Sequence, residues 1–195
     1  MERASLTKRR QAIIALLKDP SPEVRQAAAR ALETLETAES LEEVFESLKR
    51  GDRGTKIRAI YALGRIGGDQ VLPILLYCAG RSEEDIRYAA IKVLGELARP
   101  ETMAALVEKL QDPSPDIRAV TIEALANYRD PALVPELVPF LEENDGLVDA
   151  EAALALGRIG DSTLADRLID LLSSNHERTR AAAATALSLL PLKPR

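Results

Sequence analysis

What most constrains this chain is that it repeats itself. An arginine recurs at Arg25, Arg58, Arg87, Arg118 and Arg180, each just ahead of an Ala-rich apolar run, at intervals of 33, 29, 31 and 62 residues. The last interval is twice 31, and the skipped position falls on Asp149, inside Val148-Asp149-Ala150-Glu151-Ala152-Ala153. Self-similarity at this period belongs to stacked supersecondary units, not to one globular core. The fold class expected is therefore all-α, a solenoid of about five to six helical hairpins of ~31 residues with half-units at both ends.

The segment 51–80 shows the grammar. Gly51-Asp52-Arg53-Gly54 is a turn, and Ile57, Ile60, Ala62, Leu63 and Ile66 follow at helical spacing. Gly67-Gly68-Asp69 stops that helix, and a second runs from about Val71 to Ala79. Carried along the chain, this register predicts first helices near 22–35, 55–66, 84–98, 115–128, 146–159 and 177–189. Second helices are predicted near 7–18, 38–49, 70–80, 101–111, 131–142 and 162–173. The chain reads as one repeat domain, 1–195, made of a cap helix 1–18, units 19–50, 51–80, 81–111, 112–143 and 144–174, and a half-unit 175–195.

Two helix openings, Asp19-Pro20-Ser21-Pro22-Glu23-Val24-Arg25 and Asp112-Pro113-Ser114-Pro115-Asp116-Ile117-Arg118, are nearly identical. Proline pre-sets φ for the first turn, serine can cap free N–H groups, and the acid complements the positive helix end. Glycine returns mid-helix at Gly64, Gly95 and Gly157. Each costs about 1 kcal/mol relative to alanine, so a close-packed neighbouring helix is the expected reason.

The motif Asp-Pro-Ser-x-x-Val-Arg-x-Ala-Ala-x-x-Ala-Leu, followed by Gly-x-Ile-Gly-Asp, resembles the HEAT-like repeat family, specifically its short bacterial and phycobilisome-lyase type. Asp19–Leu32, Ile57–Gly67, Asp112–Leu125 and Val148–Asp161 carry it best, and the likeness covers almost the whole chain. It implies a right-handed superhelix whose second helices line a concave, partner-binding face. It also implies that Arg25, Arg58, Arg87, Arg118 and Arg180 form a structural ladder, paired with acids at neighbouring turns. The acids available are Asp19, Asp52, Asp85, Asp112, Asp130 and Asp161, and a planar guanidinium fork suits such pairing. Asp149 interrupts the ladder, so the joint at residues 145–160 is expected to be softer.

Chemistry is sparse. His176-Glu177 is a lone His-Glu dyad, where the similar deoxyhypusine hydroxylases use several to hold a di-iron centre, so no metal is expected. The glycine-containing stretch Gly64 to Gly68 ends a helix instead of following a strand, which excludes a phosphate loop. Cys78 stands among apolar residues and reads as packing, and a single cysteine fits a reducing compartment. No stretch approaches the ~20 apolar residues that span a bilayer, so a cytoplasmic, non-enzymatic protein without cofactor is expected.

Net charge is −5, from 31 acidic and 26 basic residues, which argues against a dedicated nucleic-acid binder. With 3% aromatic residues and no Trp, the stacking platform of similar DNA glycosylases is missing as well. Aligning the second helices places Glu39, Glu42, Glu43, Glu46, Tyr77, Glu108, Pro139, Asp166 and Asp170 on the concave face. An acidic strip with an apolar patch favours a basic or amphipathic segment of another protein. The alternatives are chromophore handling, which the similarity to bilin lyases suggests, and weak nucleic-acid contact through the basic edge 49–58. The almost wholly apolar last helix, Ala181 to Leu190, adds self-association as an expectation.

Overall fold

The computed structural model describes residues 2–191, with side chains described for 7–36 and 40–191. Its described residues form eleven α-helices and no strand, and they fall into two compact units, Met1–Ile66 and Gly67–Arg195.

The first unit holds α1 (Glu2–Leu16), α2 (Pro22–Arg50) and α3 (Arg53–Ile66). Both α1 and α3 pack on α2, and Arg10 ties α1 to Glu36 at 2.9 Å. Asp19 opens α2 by accepting the Ser21 N–H at 2.8 Å, whereas the Ser21 hydroxyl caps nothing. One prediction fails here. The hairpin expected over 22–35 and 38–49 is a single helix of 29 residues. The other first helices end at Gly67 and Gly68 (φ 65° and 78°), ahead of Pro100 or Pro131, or at Gly160 (φ 83°). The equivalent stretch here is Leu35-Glu36-Thr37, with neither glycine nor proline to stop propagation.

The second unit alternates long first helices with shorter second ones. The first helices are α5 (Glu84–Leu97), α7 (Pro115–Ala126), α9 (Val148–Ile159) and α11 (Glu177–Leu189), each stacked on the next. The second helices are α4 (Leu72–Ala79), α6 (Pro100–Lys109), α8 (Val134–Leu137) and α10 (Ala165–Asp170). Each lies against the first helix that follows it. Pro139 has no N–H to return to residue 135, so α8 stops after one turn and continues as 3-10 helix over Val138–Glu142.

The core of this unit is a column of fully buried aliphatics, among them Ile91, Leu94, Ile117, Leu125, Leu137, Leu156 and Leu168. Burying each such side chain stabilises by about 1.5–3 kcal/mol. Two of the recurrent glycines set the spacing of the stack. A Cβ on Gly95 would sit 2.5 Å from the Ala124 Cα, and one on Gly157 would sit 2.6 Å from the Ala186 Cα. Backbone of the next helix occupies the place where the methyl would go.

Candidate functional site

The ladder arginines work first on their own turns. The Arg25 guanidinium donates to the carbonyls of Asp19 (2.8 Å) and Pro20 (2.9 Å), six and five residues upstream. Arg87 does the same to Arg81 and Ser82, Arg118 to Asp112 and Pro113, and Arg180 to Ser174. These carbonyls lie where a helix start leaves the chain unpaired, and a fixed cationic fork satisfies them.

Two arginines also reach the next repeat. Arg87 forms a two-point pair with Asp112 at 3.0 and 3.3 Å, with both side chains largely buried. Asp112 is held for this role by the Ser114 N–H at 3.0 Å. Arg118 meets Glu143 at 3.4 Å, an acid outside the set read from the sequence. Asp52, Asp130 and Asp161 instead accept the backbone N–H groups of Thr55, Ala132 and Thr163, as helix-start caps. Arg58 departs from the other four in its acceptor: it donates to the Thr55 hydroxyl at 2.9 Å. A strict 31-residue register places Lys56, not Arg58, at the ladder position.

Asp149 occupies the arginine position in α9 and is fully buried. Its carboxyl accepts the Thr179 hydroxyl at 3.0 Å and the Ala150 N–H at 2.8 Å, so it links α9 to α11 from inside. Val148, Ala150, Ala152 and Leu156 around it are sealed from solvent.

The acidic faces are positioned by the second helices. In the first unit Glu42 and Glu43 are exposed, and Glu46 is half-buried between Arg50 (3.2 Å) and Lys49 (3.7 Å) of its own helix. The Glu39 side chain lies outside the described residues. Those ion pairs also engage two cations of the basic edge at 49–58.

In the second unit Tyr77 of α4 is 64% exposed, and Glu108 stands exposed on the adjoining α6. Pro139 and Asp170 are exposed at the equivalent positions farther along, with Glu101, Glu136 and Asp166 also exposed. Nearby cations are engaged: Arg167 with Glu142 (3.7 Å), and Arg81 with Glu83 (3.3 Å) and the Tyr77 hydroxyl (2.9 Å). The Arg81 guanidinium also lies 5.6 Å from the Tyr77 ring centre. Glu83's own backbone N–H, then Arg81 and Ser82, hold its carboxyl down at about 2. Ile169, 51% exposed beside Asp170, is not among the positions read from the sequence; its register equivalents Leu76, Val107 and Val138 are apolar and half-buried.

Cys78 is buried. His176 is exposed, with Nε2 3.0 Å from the Asn144 carbonyl and its ring packed over Gly146, where a Cβ would come within 2.8 Å. It fastens a turn. Among the described residues no three His, Cys, Asp or Glu side chains converge on a metal position, and no helix is long and apolar enough to cross a membrane.

Helices stacked at a fixed interval, joined by arginine-laced turns, define an α-solenoid repeat protein. The HEAT repeats family matches residues 10–95, 77–146 and 103–188, and the chain belongs to that family. Among solved structures, the YibA protein of Escherichia coli is similar at 22% identity and a TM-score of 0.63, covering 96% of this chain and 74% of that one. The complex of CpcE and CpcF of phycocyanin lyase from Nostoc sp. PCC7120 matches at 22% identity and TM-score 0.58, covering 91% and 75%. A designed armadillo repeat protein matches at 19% identity and TM-score 0.53, covering 92% and 99%. At these identities the likeness is one of fold. No curated protein matches the chain.

Proposed function

We propose that this protein is a non-catalytic interaction scaffold that captures a basic or amphipathic segment of another protein on its acidic second-helix faces. The observation that carries the reading is the outward row of the second unit. Tyr77, Glu101, Glu108, Glu136, Pro139, Asp166, Ile169 and Asp170 are exposed, and the adjoining Arg81 and Arg167 are already paired. One sign of charge raises the encounter rate with an opposite partner, and a rigid amphipathic tyrosine is a common anchor within such a surface. Glu42, Glu43 and Glu46 offer a second acidic patch in the first unit, and Glu39 completes it in sequence. We read both units as one cytoplasmic repeat domain, a reading favoured by the family match over 10–95, which crosses the boundary between them.

Chromophore handling, the second reading, is supported by the fold likeness to the phycocyanin lyase subunits. Self-association through α11 is supported by exposed Ala181, Ala184 and Leu189 on its outer side. The interaction reading is tested with a fluorescent basic amphipathic helix peptide. Its affinity should fall about tenfold or more on Glu108→Lys, Asp166→Lys and Asp170→Lys combined, and should weaken steeply with salt. Binding that ignores both changes rejects the acidic face as the recognition surface.

A further inference from the structure

A 31-residue register lets each first helix be compared with its equivalents. Val93, Ala124, Ala155 and Ala186 share one position and are at most 3% exposed. In α7 and α11 that position is covered by the preceding first helix, as Gly95 covers Ala124 and Gly157 covers Ala186. Ala62 of α3 holds the same position but is only half-buried. With Val44 and Ile66 it lines an open groove of about 440 Å³ between α3 and the C-terminal half of α2. Val44 is itself out of pattern, since its equivalents Leu75, Leu106, Leu137 and Leu168 are sealed.

By the repeat's own logic, the missing cover is the helix formed by residues 22–35. In the structure that segment runs straight on into residues 40–50, and Val24, Ala31, Leu32 and Leu35 along it are half-buried. Leu94, Leu125 and Leu156, which share the register of Leu32, are fully buried. Glu33 supplies a steric reason. It stands at the register of Gly95 and Gly157, where the next helix backbone approaches so closely that a Cβ would fall within about 2.6 Å of an alanine Cα. A glutamate side chain at that register would meet the backbone of α3 if residues 22–35 stacked on it as α5 stacks on α7.

We propose that α2 is a two-state element. In one state it is the straight helix with the groove open; in the other it breaks between Glu36 and Ser40, and residues 22–35 lie over Ala62 and close the groove. Glu33 is the side chain that opposes closure. The straight form keeps its helical hydrogen bonds, while the closed form gains burial of apolar surface exposed on both halves. The proposal is independent of the partner reading.

The test places spin labels at exposed Arg30 and Arg65 through Arg30→Cys and Arg65→Cys, with Cys78→Ala, and compares Glu33 with Glu33→Ala by pulsed dipolar EPR. In the straight form Arg30 lies about 20 Å along the helix from Glu43, which shares the groove with Arg65. In the closed form the two segments are neighbours with axes about 8–10 Å apart. Glu33→Ala should therefore increase a component roughly 10 Å shorter than the main one. Alanine strengthens a helix, so this gain would not come from a weakened α2. A distance distribution that Glu33→Ala leaves unchanged, or lengthens, overturns the proposal. Amide exchange over residues 34–40 in the unlabelled chain provides a second measurement. It should accelerate in Glu33→Ala, and an unchanged or slowed rate likewise overturns the proposal.

Discussion

At the scale of single residues, buried polar groups matter more than the exposed charges that dominate the composition. The Asp149 carboxyl is fully buried and depends on Thr179 for one of its two hydrogen bonds. Removing that donor leaves a desolvated carboxyl short of a partner, whereas an exposed pair such as Arg99–Asp69 is worth little. Thr179→Val, which keeps the shape, is expected to cost about 1–3 kcal/mol in urea unfolding. A loss below about 0.5 kcal/mol would mean that the link between α9 and α11 is dispensable. The sequence announced an exception at Asp149, because an acid interrupts a row of arginines. Its consequence depended on Thr179, thirty residues away, which no local pattern connects to it.

Among elements, close helix approach decides the outcome. Gly157 lies in mid-helix, where alanine would ordinarily gain about 1 kcal/mol of propensity. Against that stands overlap with the Ala186 backbone, which cannot swing aside as a flexible side chain could. Overpacking of this kind costs about 1–3 kcal/mol, and the contact is backbone, so the cost should prevail. Gly157→Ala should lower Tm, and an unchanged or raised Tm would show that α11 yields without loss. Element type and most boundaries were legible because they rest on local signals: apolar spacing, prolines at Pro100 and Pro115, and glycine at Gly160. The α2 hairpin was misread where the register demanded a turn and the residues supplied no helix breaker.

Over the whole molecule, contacts stay between neighbouring elements, so local stability follows local burial. The residues most sealed from water belong to α5, α7 and α9, while among the described residues α1 and the first half of α2 contribute only Ala28 to the buried set. Amide exchange should therefore be slowest across 86–95, 117–126 and 148–157, and faster by orders of magnitude across 22–36. The structure thus opposes a soft joint at 145–160, since Asp149 is bonded inside a sealed cluster. Slow exchange in 22–36 equal to that of α7 would contradict this ranking.

By itself the sequence determined the repeat, the helical class and the turn chemistry, because helix spacing, caps and breakers act over a few residues and leave their mark locally. The acidic second-helix positions followed from the same register. Only the tertiary structure decided that α2 runs unbroken, that Arg118 meets Glu143, that Asp149 points inward to Thr179, and that Ile169 and the groove at Ala62 remain open. Each of these depends on what another helix does at the far end of a contact, and burial is a property of the pair.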